Sequence, residues 1–199
     1  MKSIIALGAE ASIMKNKNIV IKKRIKKSYR FPNLDIKLRK QRTKRELKLL
    51  EKSFPLIPVP KIIKSSEYEI TLEYIEGKKL SDNLDSLKNA ARVSNLMGQN
   101  IANLHDSDII HGDLTTSNMI LKKNKVYFID FGLGFISPKI EDKATDLHVL
   151  KEALEARHFT KAVKFWSEVL KGYKISKNYK ETLKRLEAVE KRGRYKSQY

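Results

Sequence analysis

Eight consecutive residues, His111-Gly112-Asp113-Leu114-Thr115-Thr116-Ser117-Asn118, followed twelve residues after Asn118 by Asp130-Phe131-Gly132, constrain this chain more than any other stretch. An aspartate, an asparagine five residues on and a second aspartate opening an Asp-Phe-Gly turn supply what phosphoryl transfer requires: a group to orient a hydroxyl, and oxygen ligands to hold magnesium against a nucleotide. The residues between them dictate a shape. Met119-Ile120-Leu121 and Val126-Tyr127-Phe128-Ile129 are short apolar runs on either side of Lys122-Lys123-Asn124-Lys125, the pattern of a hairpin. Its open end brings Asn118 and Asp130 together, and two such oxygens suit a hard cation such as Mg²⁺. Asp113 is therefore the catalytic candidate, with Asn118 and Asp130 as metal ligands. Any one of these residues alone more often caps a turn; the ordered set carries the reading.

The upstream segments fall in a compatible order. Ile4 to Leu7, a turn at Gly8-Ala9-Glu10, and Ala11 to Ile13 read as strand, turn and strand. Asn18-Ile19-Val20-Ile21-Lys22 is a third strand whose Val-Ile-Lys ending resembles the Val-Ala-Ile-Lys signature of kinases, which makes Lys22 the phosphate-holding candidate. Arg42 to Leu50 is helical by composition, with Leu47 and Leu50 a turn apart, and Glu46 is the candidate partner of Lys22. Pro55, Pro58 and Pro60 read as a rigid connector into a fourth strand, placed at Tyr68 to Gly77. In a two-lobed kinase the chain would cross between lobes there and the backbone of Glu73 and Ile75 would meet adenine, while an edge strand with a charged outer face fits the same residues. Ala90, Val93, Met97, Ile101 and Leu104 recur at helical spacing and read as core. Residues 143–170 read as helical, with Leu147, Leu150, Leu154 and Trp166 as core or partner face. Asp146 reads as a helix cap and His111 as structural, and the kinase-like resemblance further implies that Asp146 buttresses the catalytic loop. His105, His148 and His158 carry no ligand spacing and receive no role.

These strings resemble the small atypical kinase and ATPase subunit of the KEOPS (EKC) complex, a compact RIO-like kinase family. The resemblance rests on Leu7-Gly8-Ala9-Glu10-Ala11, Val20-Ile21-Lys22, Arg42-Thr43, Glu46, Ile75-Glu76-Gly77, His111 to Asn118, Ile129 to Leu133, Asp146-Leu147 and Arg192-Gly193-Arg194. It implies an α+β, minimal two-lobed protein-kinase-like fold. An antiparallel N-lobe sheet plus one helix would span residues 1–74, a helical C-lobe 75–190, and a basic tail 191–199. It implies ATP and Mg²⁺ as cofactors, with Gly8, Ala9, Glu10, Lys22, Glu46, Glu73 and Ile75 contacting nucleotide. The implied activities are weak serine/threonine phosphorylation and ATP hydrolysis in support of threonylcarbamoylation of tRNA adenosine. The implied partners are the complex's transferase subunit, its small helper subunit and tRNA.

Departures from ordinary protein kinases shape that expectation. One glycine, Gly8, stands where a phosphate loop usually has three, so Glu10 is left to contribute through its side chain. Gly112 stands in place of an arginine that reads a phosphorylated loop, and Thr115 in place of the lysine that balances charge on the transferred phosphoryl. Eleven residues separate Asp130 from Asp142, too few for a peptide-binding platform. Hydrolysis is the reaction this favours. The competing readings are a RIO-type kinase, an aminoglycoside-type small-molecule kinase, and a nucleotide-sensing tRNA-binding scaffold without essential catalysis.

Charge is concentrated rather than spread. The formal net charge is +19, and residues 15–48 carry +13 and residues 171–199 carry +7, so the remainder is close to neutral. Blocks this basic favour phosphate backbones through counterion release, a solvated helix face being the plain alternative, and the family resemblance implies tRNA as the partner. The tail reads three ways: Tyr195 and Tyr199 stacking on bases, a disordered end, or its arginines folding back onto nucleotide phosphates. With no cysteine and no apolar run of membrane length, the expectation is a cytoplasmic protein without disulfides or membrane contact.

Overall fold

The structure is a computed structural model that describes residues 2–7 and 10–194. It opens with three antiparallel strands, β1 (Lys2–Leu7), β2 (Ala11–Asn16) and β3 (Ile19–Arg24). Helix α1 (Pro32–Ser53) follows, then β4 (Ile62–Ser65) and β5 (Glu69–Glu73). The sheet order is β1-β2-β3-β5-β4, with β5 inserted beside β3. Alternation along β3 puts Val20, Lys22 and Arg24 on one face, and Lys22 lies between Ile13 on β2 and Ile70 on β5. A hydrogen-bonded strand on each side fixes the Lys22 backbone, so its long side chain is aimed rather than free.

Helix α1 is longer than the segment expected from Arg42 to Leu50. It starts with Pro32, whose fixed φ suits the first turn. Its basic first half is held by the buried Asp35, which accepts from the Lys27 amide at 3.2 Å and from Arg39 Nε at 2.7 Å. The expected fourth strand is in fact the fifth. The proline connector runs into β4, a strand with three exposed residues of four and therefore little apolar pattern to mark it.

Beyond β5, the short β6 (Lys78–Lys79) leads into α2 (Leu80–Asn83), α3 (Ala90–Asp106) and β7 (Ile109–Ile110). The expected hairpin forms as β8 (Met119–Lys122) and β9 (Lys125–Phe128), and β6 extends it to three strands. After β10 (Phe135–Ile136), which pairs with β7, come α4 (Ile140–Arg157), α5 (Ala162–Tyr173) and α6 (Tyr179–Arg194). The expected boundary at residues 74–75 falls in the link between β5 and β6, and one apolar core continues across it from Leu49 and Leu50 to Leu104, Phe128 and Leu150. Val93, Met97, Ile101 and Leu104 are buried, as their spacing requires.

The helical stretch expected over 143–170 is broken at His158–Lys161. No proline or glycine marks the break. Instead the buried His158 ring sits 2.7 Å from Asp85 Oδ2 through Nδ1 and 3.1 Å from Thr116 Oγ1 through Nε2, tying the corner between α4 and α5 to the catalytic loop. A tertiary hydrogen-bond pair ends the helix where local sequence would continue it.

Helices α3 and α5 cross where Gly98 and Gly172 let their backbones meet. A Cβ at Gly98 would collide with the Val169 carbonyl and lie 2.8 Å from Tyr173 N, both backbone atoms that cannot swing aside. Gly98→Ala should therefore destabilise the protein by about 1–3 kcal/mol through overpacking, against the usual helix-propensity gain from alanine. Urea unfolding checks this, and an unchanged or raised midpoint would contradict so tight a crossing.

Candidate nucleotide and phosphoryl-transfer site

Lys22 reaches from β3 into the cleft and bridges two carboxylates, Glu46 Oε1 at 2.6 Å and Asp130 Oδ1 at 2.6 Å. Glu46 projects from α1 and is buried, and its second oxygen pairs with Arg24. A buried carboxylate is tolerated only with partners on both oxygens, and two cations from one face of β3 supply them. Arg24 was not singled out from the sequence, although the period-two pattern of β3 places it beside Lys22.

Asp130 sits at φ +62°, a left-handed conformation that Asp and Asn adopt more readily than most residues. Its side chain accepts from the Gly132 amide at 3.1 Å, which closes the turn. Burial pushes this carboxyl up, but the Lys22 ammonium and the Gly132 amide outweigh it and hold Asp130 below the usual carboxylate range. Across the hairpin mouth, the Ile129 amide donates to the Asn118 carbonyl at 3.0 Å, so Asn118 and Asp130 are neighbours, as the hairpin pattern requires. Asn118 Nδ2 donates to Asp113 at Oδ2 (2.8 Å) and at its backbone oxygen (3.0 Å). Both amide protons are thereby engaged, which leaves Asn118 Oδ1 as an acceptor for a cation.

The loop carrying Asp113 is held from below. Asp146 is buried inside α4 rather than capping it, and it accepts from the His111 amide at 2.8 Å and the Gly112 amide at 2.9 Å. The expected buttress is there; the expected cap is not. His105 Nε2 lies 3.3 Å from the same carboxylate and its Nδ1 lies 2.9 Å from the Tyr173 hydroxyl, so a histidine given no role joins the support. His111 is fully buried, and burial lowers its pKa and keeps the ring neutral. Its partners define the tautomer: Nε2–H donates to the Ile129 carbonyl at 3.1 Å and Nδ1 accepts from the Asp113 amide at 3.3 Å. Gly112 lies at φ +76°, and a Cβ there would come 2.5 Å from the Leu133 carbonyl oxygen. The loop can pass that close to the Asp-Phe-Gly turn only with glycine.

Two adjoining cavities share Ile13, Lys22 and Asp130. The inner, about 300 Å³, is walled by Val20, Leu72, Tyr74, Ile75 and Ile129, with Glu73, Asn118 and Lys79 at its edge. The outer, about 340 Å³, has Glu10, Arg24, Arg42, Asp113, Gly132 and Leu133. An apolar slot opening into a charged mouth suits a base followed by phosphates, and its size is that of a small-ligand site. The Glu73 amide donates to the Lys61 carbonyl at 2.9 Å, so that amide is already engaged. Glu10 accepts from Arg30 Nη2 at 2.8 Å and pairs with Arg42. The Arg30 hydrogen bond leads the effects that outweigh burial and bring its carboxyl down to about 2. Gly8 and Ala9 lie outside the described residues.

Among the described residues, no group of three or more His, Cys, Asp or Glu is arranged to hold a metal. The donor set of Asn118 Oδ1 and Asp130 fits an ion that takes one or two protein oxygens and completes its shell with phosphates and water. It does not fit zinc or calcium.

Comparison with known proteins shows the family. The RIO domain family model matches residues 10–136. The KEOPS complex subunit Bud32 of Pyrococcus abyssi is 41% identical, covering 89% of this chain and 84% of that protein. The EKC/KEOPS complex subunit BUD32 of Encephalitozoon cuniculi is 43% identical, with 94% and 93% covered. A probable bifunctional tRNA threonylcarbamoyladenosine biosynthesis protein of Methanobrevibacter smithii is 44% identical over 97% of this chain, which spans only 37% of that longer protein. Among solved structures, the Rio2 kinase–ADP/Mg²⁺–phosphoaspartate complex from Chaetomium thermophilum superposes with TM-score 0.64 at 18% identity, covering 96% of this chain and 70% of that one. The streptomycin–ATP–APH(2")-IIa complex gives 0.62 at 14% identity, with 94% and 81% covered, a likeness of fold. The RIO domain model and the Bud32 relatives match the same chain, so a RIO-type kinase is not a rival to the Bud32 reading. The chain belongs to the RIO domain family, among the Bud32 proteins.

Proposed function

We propose that the chain is an atypical kinase and ATPase that binds ATP with Mg²⁺ in the cleft between β3 and the catalytic loop and supports threonylcarbamoylation of adenosine in tRNA within a KEOPS-type assembly. The observation that carries the enzymatic reading is the convergence of Lys22, Glu46, Asp113, Asn118 and Asp130 on one cleft from four elements. The names of the Bud32 relatives support the assembly and the modification.

In this reading, the inner cavity holds adenine against Val20, Leu72 and Ile75, with the Glu73 carbonyl and the Ile75 amide as polar partners. Lys22, aimed by Glu46, meets the phosphates. Asn118 Oδ1 and Asp130 would hold magnesium, which when bound would supply neutralising charge at the phosphate oxygens. The Asp113 carboxylate accepts the proton of the attacking hydroxyl or water as the bond from oxygen to the terminal phosphorus forms and the bond to the bridging oxygen breaks, releasing ADP. Only Ser137 to Lys139 separate β10 from α4, leaving no room for a peptide platform, so water is the favoured acceptor. The direct test measures ATP turnover by the chain with and without its transferase partner and tRNA. Absence of turnover in the complete mixture would reject the enzymatic reading and favour a nucleotide-sensing scaffold.

The charge blocks divide unevenly. In 15–48, Lys22, Arg24, Arg30, Arg39, Lys40 and Arg42 are engaged with Glu46, Asp130, Glu10, Asp35 and Glu67, so sequence counting overstates the free charge there. Lys180, Lys184 and Lys191, by contrast, are exposed and spaced for one face of α6. No helix among the described residues is long and apolar enough to cross a membrane. Reversing these three lysines to glutamate should weaken tRNA binding and flatten its salt dependence by about 0.7–0.9 in log K per log salt for each phosphate no longer neutralised. Affinity measured across a salt series checks this; an unchanged slope would take α6 out of the tRNA path.

A further inference from the structure

The outer mouth of the cleft carries three cations, and they are not equivalent. Lys22 and Arg24 both serve Glu46 and are 8% and 6% exposed in their side chains, so they are fixed parts of the interior. Arg42, on α1, is 32% exposed, and its counterion is Glu10, itself 34% exposed at the turn entering β2. Glu10 has a second partner in Arg30, at 2.8 Å. Glu10 can therefore give up Arg42 and remain anchored.

Two features of the sequence leave a charge requirement unmet at this point. A loop with one glycine offers few close backbone amides to a triphosphate, and Thr115 stands where a cation would balance the transferred group. Arg42 faces the same cavity as Asp113 and Asp130. Its planar fork of donors matches two phosphate oxygens at once, which an ammonium cannot do.

We propose that Arg42 is the guanidinium that meets the terminal phosphoryl group during transfer, and that Glu10 holds it in reserve until the triphosphate displaces that carboxylate. The inference rests on the nucleotide reading of the cleft and names the group that completes it. As the acceptor oxygen bonds to the terminal phosphorus and loses its proton to Asp113, the bond to the bridging oxygen breaks and its electron pair leaves with ADP. Arg42 stabilises the negative charge on the oxygens of the group in transit. Glu10 opposes that role by competing for the same guanidinium, so the two residues, though paired, should act on turnover with opposite signs.

A plain structural brace between the β1–β2 turn and α1 predicts the same sign for both. The test compares ATP turnover, ADP affinity and thermal midpoint for Arg42→Ala, Arg42→Lys and Glu10→Gln, with wild type and Asp113→Asn as references. Arg42→Ala should slow turnover by about 10²–10³-fold with ADP affinity little changed, as for loss of a donor aimed at the transition state. Arg42→Lys should recover part of the loss, which also guards against a variant that merely unfolds. Glu10→Gln should raise turnover or lower the KM for ATP by about threefold or more, the release of a competing state. Equal slowing by Arg42→Ala and Glu10→Gln, or normal turnover without Arg42, would overturn the proposal. If wild type and Asp113→Asn are indistinguishable, the nucleotide reading itself fails and takes the proposal with it.

Discussion

Asp113→Asn is expected to lower ATP turnover by about 10²–10⁴-fold while leaving ADP binding within about twofold and the fold intact, the pattern for losing a general base. The substitution preserves shape, but it removes the negative charge and the basicity and turns one acceptor oxygen into an amide donor. Asn118 Nδ2, now 2.8 Å from a carboxylate oxygen, can donate to the amide oxygen instead. The backbone stays fixed because Asp146 holds the His111 and Gly112 amides and the neutral His111 ring holds the Asp113 amide. A separation of turnover from binding is therefore the signature. Steady-state turnover beside calorimetric ADP binding measures it. Full activity in Asp113→Asn would mean that the group next to Asn118 handles no proton. Equal loss of binding and turnover would mean that the change disturbed the loop instead.

The parts of this site that were legible in the sequence are those whose geometry is local. Asn118 and Asp130 meet because a short hairpin joins them, and a hairpin is written in two apolar runs and a polar turn. Lys22 and Glu46 are farther apart, and only their order relative to the hairpin made the pair readable. The rest depends on directions that a linear reading does not give. Arg24 shares Glu46 because of strand alternation, and Arg42 reaches Glu10 because α1 passes beside the β1–β2 turn. The break at His158 depends on Asp85 and Thr116, 73 and 42 residues away, and nothing in the local composition announces it. The same cause explains the charge. Counting cations shows a basic block at 15–48, but six of those side chains are engaged with carboxylates once the chain has folded.

Asp130→Asn should change nucleotide binding in opposite directions depending on magnesium. With the metal, Asp130 would supply one of two protein oxygens for the ion in the proposed site, and losing its charge should weaken ADP binding and slow turnover by about 10²–10³-fold, an effect comparable to removing one fixed electrostatic partner. With the metal chelated, the wild-type carboxylate sits 2.6 Å from Lys22 and competes with phosphate for that ammonium. Asparagine removes both the competition and the repulsion, so metal-free ADP should bind more tightly than to wild type. The backbone cost is small, since asparagine also accepts the left-handed conformation that Asp130 holds at φ +62°. The side chain is 40% exposed, so losing its pairing with Lys22 should affect stability little. The two titrations, with excess magnesium and with chelator, would cross between wild type and variant. Parallel curves, with the variant weaker by the same factor in both, would show that Asp130 shapes the pocket without holding a cation.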